Sequence, residues 1–126
     1  RITLVTTEDG LNRKIEALLP SLEKAKKRGV EIRIAAPITP NNIKAAKQIS
    51  KIADVRDTSG KKPASRLVII DSRQLMFMLT DDSSVHPNYD VAVWLSTDYF
   101  AKSMEQMFEL SWNQFTPIAK LKVKEK

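Results

Sequence analysis

The sequence ASRLVIID at residues 64–71 is the stretch from which the fold can be deduced most directly. Residues 66–71, with four consecutive aliphatic residues at 67–70, are predicted to form a strand. A second apolar run, residues 74–80, follows after a short polar segment at 71–73, so the two runs are predicted to form a hairpin. Asp71 is the expected turn residue, because aspartate before Ser-Arg starts turns readily.

Two strand–helix units precede this hairpin. Residues 2–6 are predicted to form a strand, and apolar residues at helical spacing predict a helix over about residues 9–28. Pro20 lies inside that pattern and is expected to kink or break the helix. Gly29 directly follows a basic last turn and is the expected stop signal.

The second unit begins with a strand predicted to be half-buried, because apolar and charged residues alternate from Val30 to Ile34. Thr39 and Pro40 predict the start of a helix, with the threonine as its cap and the proline at its first position. The short segment 54–57 is a further strand candidate. The apolar positions of the second helix are Ile43, Ala46, Ile49 and Ile52.

A strand and a helix are predicted after the polar loop at 81–89. The run 91–95 is apolar on both faces, which predicts a central strand. Thr97 and Asp98 are expected to cap the final helix. The predicted core-facing stripe of that helix consists of Phe100, Met104, Met107, Phe108, Trp112 and Phe115.

The predicted order β-α-β-α-β-β-β-β-α begins like a parallel α/β protein and continues with a hairpin. We therefore expect an α/β fold with a mixed β-sheet flanked by helices. The chain of 126 residues has the length of a single domain. Residues 1–115 are assigned to this domain, and residues 116–126 are expected to form a basic, flexible tail.

The composition excludes several kinds of chemistry. The sequence has no cysteine and a single histidine, His86, which excludes disulfide scaffolds, thiolate zinc sites and multi-histidine metal sites within one chain. Three glycines leave no room for a dinucleotide-binding or phosphate-binding glycine loop. We therefore expect no cofactor and no metal site. We also expect no membrane span and no signal peptide, hence a cytoplasmic location.

The net charge of +6 arises from two local clusters of basic residues. One interpretation is a phosphate-facing patch that binds DNA or another polyanion. The other is a solvated helix face together with a tail. Aromatic residues are not interleaved with the lysines, which argues against single-strand binding. The two clusters are Lys24, Lys26, Lys27 and Arg28, and Lys120, Lys122, Lys124 and Lys126.

Residues 64–71, placed after two β-α units and leading into a hairpin, resemble the signature strand of the phospholipase D-like fold. That family carries His-x-Lys, four further residues and Asp, and its histidine attacks phosphorus. In this sequence the three positions are occupied by Ala64, Arg66 and Asp71. Alanine cannot act as a nucleophile. The resemblance therefore implies the fold and argues against the reaction.

His86 is the remaining candidate nucleophile for a phosphodiesterase or nuclease of this type acting as a dimer. It lies in a polar loop before Pro87, and nothing in the sequence places it on the sheet. A histidine that packs within the loop is the simpler interpretation.

The sequence YDVAVWL at 89–95, followed by FELSWN at 108–113, resembles the ending of the TrmB-type transcription regulators. The sequence KRGVEIR at 27–33 is similar to the helix-to-strand junction of the same family. These mostly archaeal regulators combine an N-terminal winged helix with a degenerate phospholipase D-like domain. The resemblance extends over essentially the whole chain and implies a non-catalytic domain that senses an effector or dimerises.

The resemblance also implies which partners to expect. It implies a homodimer, whose surface we expect at the apolar hairpin 75–79 or at the last helix, and a possible small-molecule effector. It implies contact with DNA only through an N-terminal winged helix that this sequence lacks. The sugar-binding domain of the maltose-sensing members is also missing, so maltose specificity is not implied. A phospholipase D-type phosphodiesterase and a basic nucleic-acid-binding module remain as alternatives.

A candidate ligand site lies where the predicted parallel strands end, because ligands favour this edge in α/β sheets. Thr7 and Glu8 follow the first strand. Thr39 and Asn41 start a helix that is expected to offer free backbone N–H groups to an anion. Arg66 faces the same edge if its strand runs antiparallel, and its guanidinium could then hold a phosphate or carboxylate. We expect an anionic or sugar-like effector here. Alternatively, Arg66 pairs with a neighbouring carboxylate and Thr39 is only a cap.

Overall fold

The computed structural model describes residues 1–59, 66–79 and 91–123. These residues form one seven-stranded sheet, three α-helices and a short 3-10 helix at Ile118–Lys120. The helices are α1, Glu8–Lys27, α2, Ile43–Ile49, and α3, Asp98–Trp112. The strands are β1, Ile2–Val5, β2, Ile32–Ala36, β3, Asp54–Asp57, β4, Leu67–Ile70, β5, Gln74–Met78, β6, Ala92–Ser96, and β7, Thr116–Pro117.

The strand order in the sheet is β6-β5-β4-β1-β2-β3-β7. The strands β1, β2 and β3 are parallel, and all other neighbouring pairs are antiparallel. The predicted α/β fold with a mixed sheet is confirmed. Val5 is in register with both Ala35 and Leu67. The ends of β1 and β2 and the start of β4 therefore lie at the same edge of the sheet.

The core has one apolar layer on each face of the sheet. On one face, Leu4 and Ile34 pack with Leu11 and Ile15 of α1, and α2 contributes Ile43 to the same cluster. On the other face α3 covers the sheet. There Trp112 packs with Val5 and Ala35, and Ala101 packs with Ile69 and Leu75.

The limits of α1 follow from its local sequence. Thr7 caps the start, where its Oγ1 accepts from Gly10 N at 3.0 Å. At the other end Gly29 has a φ of +86°, and the N–H groups of Gly29 and Val30 bond back to the last turn of the helix. The predicted stop at Gly29 is confirmed. The predicted break at Pro20 is wrong, because α1 is continuous and Pro20 lies on its exposed face, where the carbonyl it leaves unbonded can bind water.

The strand β2 is not half-buried as predicted. All five of its residues are buried, including Arg33 at 3 % exposure. The alternation of apolar and charged residues suggested a solvent-facing side, but α3 covers that side and supplies carboxylates to the arginine. Arg33 is therefore a buried cation paired with carboxylates, whereas the alternating pattern predicted an exposed one.

The strand β6 lies at the edge of the sheet, whereas the sequence predicted a central strand. It pairs with β5, and Trp94 is 60 % exposed. The prediction failed because an apolar run does not show whether a helix covers each face of the strand or whether another strand pairs with each of its edges. The predicted stripe of α3 is also displaced, since Phe100 and Met107 are exposed while Ala101 and Glu105 are buried.

Two predicted boundaries also change. The second helix begins at Ile43 rather than at Pro40, after a turn. Residues 116–123 are not a flexible tail, because Thr116–Pro117 pair with β3 and the apolar side chains that follow pack on the core. Ala64, His86 and the tail residues 124–126 lie outside the described residues. No helix in the described part of the chain is long and apolar enough to cross a bilayer.

Candidate functional site

The edge where β1 and β2 end carries all five residues of the predicted ligand site. Thr7 caps α1 and Glu8 is its first residue, two and three positions after the end of β1. Thr39 and Asn41 lie in the segment between β2 and α2, and Arg66 directly precedes β4. The antiparallel pairing of β1 with β4, on which the placement of Arg66 depended, is observed.

Glu8 is the centre of a hydrogen-bond network at this edge. Its Oε1 accepts from the hydroxyl of Thr39 and, at 3.0 Å, from Nδ2 of Asn41. The structure therefore brings three of the predicted residues into direct contact. Thr7 is occupied as the cap of α1. A carboxylate, an amide and a hydroxyl together form a polar surface that can exchange hydrogen bonds with a hydroxylated ligand.

Asn42 holds this network in place and was not indicated by the sequence pattern. It is fully buried, and its Nδ2 donates to the carbonyls of Glu8 at 3.1 Å and Pro37 at 2.8 Å. Its Oδ1 accepts from Thr39 N at 2.8 Å. The start of α1 is thereby fixed to the segment after β2. The available signal was an asparagine directly before the apolar stripe of α2.

The expectation of free backbone N–H groups at Thr39 and Asn41 is wrong. Thr39 N donates to Asn42, and Asn41 N donates to Thr39 Oγ1 at 3.2 Å. The carbonyl of Thr39 also accepts from Ile43 N at 2.9 Å. These groups are satisfied within the chain, and the Glu8 carboxylate adds negative charge beside them. The edge is therefore less suited to an anion than the sequence suggested.

Arg66 does not present an open guanidinium at this edge. The residue is 6 % exposed and is engaged in interactions of its own. Buried cations in proteins are normally paired, because an unpaired one would lose its hydration without compensation. This arrangement is closer to the alternative in which Arg66 serves the structure.

Thr6 adds an unsatisfied polar group to the same edge. It follows β1 directly, is buried, and its Oγ1 has no hydrogen-bond partner among the described residues. A buried hydroxyl without a partner costs free energy, so such groups are rare and are often completed by water or a ligand. This observation points to the edge independently of the residues that the sequence indicated.

A second polar cluster lies between the sheet and α3. Arg33 donates from Nη1 to Glu109 Oε1 at 2.5 Å and from Nη2 to Glu105 Oε1 at 3.3 Å. Its Nη2 also donates to Thr3 Oγ1 at 3.0 Å. The hydroxyl of Ser72 bonds to the second oxygen of Glu105. Two carboxylates and the Thr3 hydroxyl therefore bind the guanidinium and compensate for its burial.

Aromatic rings complete this cluster. The guanidinium carbon of Arg33 lies 5.3 Å from the ring centres of both Phe108 and Trp112. The guanidinium carbon of Arg56 lies 4.3 Å from the centre of the Trp112 ring. Nη1 of Arg56 also donates to the Trp112 carbonyl at 2.8 Å. Cation–π contacts of this kind add to the apolar packing. The cluster fixes α3 on the sheet and presents no open site.

Asp71 lies at the opposite end of β4 from Arg66, as the predicted turn residue. Asp71 and Ser72 have φ values of +54° and +55°, and Arg73 N donates to the carbonyl of Ile70 at 3.0 Å, which are features of a tight hairpin turn. The backbone nitrogen of Arg1 donates to Asp71 Oδ1 at 2.6 Å. Asp71 is therefore not part of the edge that carries the candidate site.

The described residues contain no group of three histidine, aspartate or glutamate side chains that could hold a metal ion. No protein-family model matches this chain. No curated protein matches it either.

Comparison with solved structures identifies the class of fold, which is that of the phospholipase D-like α/β proteins. One similar structure is the phospholipase D family member Nuc from Salmonella typhimurium, with a TM-score of 0.64 and 22 % identity over 91 % of this chain and 76 % of that chain. Another is TrmBL2, an archaeal chromatin protein described as having a novel mode of DNA binding. Its TM-score is also 0.64, with 22 % identity over 91 % of this chain and 44 % of that chain.

The present chain therefore spans less than half the length of the TrmBL2 chain. At this level of identity both similarities establish the fold and leave the activity open. The predicted phospholipase D-like fold is confirmed.

Proposed function

We propose that this chain is the non-catalytic regulatory domain of a TrmB-like transcription regulator, with effector sensing, dimerisation or both as its role. The observation that carries the proposal is Ala64, which stands where a phospholipase D enzyme has its nucleophilic histidine, next to Arg66 at the lysine position. The likeness to an archaeal chromatin protein supports the same conclusion. In such a regulator a separate winged helix contacts DNA in the cytoplasm, and the domain acts as a homodimer.

The edge around Glu8 is the proposed effector site. The carboxylate of Glu8 and the satisfied N–H groups of Thr39 and Asn41 favour a neutral, hydroxylated molecule over an anion. The unsatisfied hydroxyl of Thr6 offers one further hydrogen bond to such a molecule. A sugar-like effector has this chemistry. Effector binding would regulate only if it favoured one state of the dimer over the other.

The non-catalytic part of the proposal is tested with a chromogenic phosphodiester. The purified chain should release product no faster than buffer does, with or without added divalent metal. Turnover that is independent of metal and is abolished in a His86→Ala variant would establish a phospholipase D-type enzyme and overturn this part of the proposal.

The effector part is tested by titrating the isotopically labelled chain with glucose and, separately, with inorganic phosphate. We expect glucose to shift the amide signals of Glu8, Thr39 and Asn41, and phosphate to shift them less. If neither compound shifts these signals at about 10 mM, the dissociation constant is higher than that of ordinary metabolite binding. The edge is then not a site for either class of ligand.

A further inference from the structure

The strand β6 has one edge that no described strand covers. Within residues 1–59, 66–79 and 91–123 it pairs with β5 alone. The hydrogen bonds from Leu79 N to Val91 O at 3.0 Å and from Thr97 N to Arg73 O at 2.9 Å fix which residues face β5. Alternate residues of an antiparallel strand direct their backbone groups to opposite sides. The N–H and C=O groups of Ala92, Trp94 and Ser96 therefore point away from the sheet.

This free edge lacks the usual protection against pairing. Natural edge strands carry charged residues, prolines or bulges that prevent another strand from adding to them. Residues 91–97 contain neither a charged residue nor a proline, and β6 is paired with β5 in an unbroken register. Val91 is 51 % exposed and Trp94 is 60 % exposed. The edge is therefore both apolar and open to hydrogen bonding.

The side chains on one face lead from the core to this edge. Leu4 is in register with Val68, Val68 with Met76, and Met76 with Trp94, so all four lie on the same face of the sheet. Leu4 is buried under α1 and α2, whereas Trp94 is exposed. Val68, Met76 and Trp94 line a shallow apolar groove. The apolar row of the core thus continues to the edge, where Trp94 is exposed.

We propose that β6 pairs antiparallel with β6 of a second copy of this chain, about a two-fold axis that passes beside Trp94. In this register Trp94 lies opposite Trp94 of the second copy, and Ala92 lies opposite Ser96. Every outward N–H and C=O of the strand then has a partner, because each residue supplies one donor and one acceptor. A shift by two residues would leave one residue of each strand unpaired, so the register is determined by the strand itself.

A second copy of this chain can supply a complete set of partners for this edge. The pattern Ala92, Trp94, Ser96 is complementary to itself when reversed, which is the requirement of an isologous two-fold interface. Residues directly opposite each other in antiparallel strands share a face, so the two indole rings meet over the axis and cover each other. The sheet becomes continuous through both copies.

This inference rests on the proposed function, because it names the surface through which the regulatory domain dimerises. It replaces both surfaces that the sequence suggested, the hairpin 75–79 and the last helix. The exposed side chains of α3 remain outside the interface. Leu110 of α3 is 73 % exposed and, like Trp94, is a large apolar side chain, so it provides the control position.

The test is the mass of the chain by sedimentation equilibrium over a range of concentrations. We expect a dimer for the natural sequence and for the control Leu110→Lys. Trp94→Lys places a charge at the axis, and Ala92→Pro removes an N–H that faces away from β5. The dissociation constant of the dimer should be roughly 100-fold higher or more in both variants than in the natural chain, which is the loss of affinity expected when a central interface residue is changed. Far-ultraviolet circular dichroism should confirm that all variants are folded.

Amide hydrogen exchange supplies a second measurement that does not depend on any variant. The amides of Ala92, Trp94 and Ser96 should become protected as concentration rises, whereas those of Val93 and Leu95 should be protected throughout. A natural chain that stays monomeric at about 1 mM, where even weak complexes form, overturns the inference. So does a dimer that dissociates in Leu110→Lys and persists in both edge variants.

These outcomes are separate from those of the proposed function. Phosphodiester turnover would overturn the regulatory assignment without changing the mass of the chain. A monomeric chain would overturn the β6 interface without changing the results of the turnover or effector measurements.

Discussion

Arg33 on β2 donates from Nη2 to Glu105 Oε1 on α3 at 3.3 Å, and both residues are buried. The pair joins the central strands of the sheet to the helix that covers them. Together with the bond from Arg33 to Glu109, it forms a polar cluster beside the apolar and aromatic residues of this interface. Removing either partner leaves a charge in an environment that cannot solvate it.

Glu105→Ala is therefore expected to lower the free energy of unfolding by about 3 kcal/mol, the lower end of the range for a broken buried pair, because Glu109 still contacts Arg33. Chemical denaturation followed by circular dichroism measures the change. The control is Glu109→Ala. That side chain is 39 % exposed, so its removal should cost about 1 kcal/mol or less. Equal losses in the two variants would show that burial does not control this contact.

Asn42→Ala tests the clamp that supports the candidate effector site. The variant removes the bonds to the carbonyls of Glu8 and Pro37 and leaves Thr39 N without its acceptor. We expect a loss of about 2–3 kcal/mol in the free energy of unfolding, because buried polar groups remain unsatisfied. Asn41→Ala, at an exposed position, removes one side-chain bond to Glu8 and should cost less than about 1 kcal/mol. A smaller effect of the Asn42 variant would contradict the role of the clamp.

The fold could be predicted from the sequence where local signals decide the structure. The strand at 54–57 has the predicted limits, and Gly29 ends α1 because a positive φ is needed there. The ends of β1 and β2 carry the predicted site residues because parallel strands end at a common edge. These features depend on residues close together in sequence or on general rules of sheet topology.

The remaining features depend on residues that are distant in sequence. Arg33 and Glu105 are 72 positions apart, and each interrupts an apolar pattern that is interpreted correctly only when the other is known. The position of β6 at the edge follows from the order of the whole sheet rather than from its own apolar run. Asn42 was missed because its partners, the carbonyls of Glu8 and Pro37, are backbone groups that any sequence would supply.

Pro20→Ala is expected to stabilise the chain. Pro20 interrupts the hydrogen bonding of α1, although the helix is continuous. Because Pro20 lies on the exposed face of α1, alanine restores an N–H there without changing the packing of the core. The gain should be about 1–3 kcal/mol, up to the full difference in helix propensity between the two residues. The thermal midpoint and the denaturation midpoint should both rise. Ala17→Pro, on the same exposed face, is the reverse experiment and should cost about 3 kcal/mol. A Pro20→Ala variant no more stable than the natural chain would mean that the proline is favoured by its surroundings.

Thr6 and Thr3 form a matched pair for the candidate site, because both are buried threonines of the β1 segment and differ in their hydrogen bonds. Thr3 Oγ1 accepts from Arg33, whereas Thr6 Oγ1 has no partner among the described residues. Thr3→Val should lower the free energy of unfolding by about 2 kcal/mol, since a donor of the buried arginine loses its acceptor. Thr6→Val should leave stability unchanged or raise it by about 1 kcal/mol, because an unsatisfied hydroxyl is replaced by a methyl group. If Thr6 bonds a ligand, the same variant should reduce glucose binding at least about fivefold, the loss expected for one hydrogen bond. A Thr6→Val variant that is stable and binds glucose as tightly as the natural chain would exclude Thr6 from the effector site.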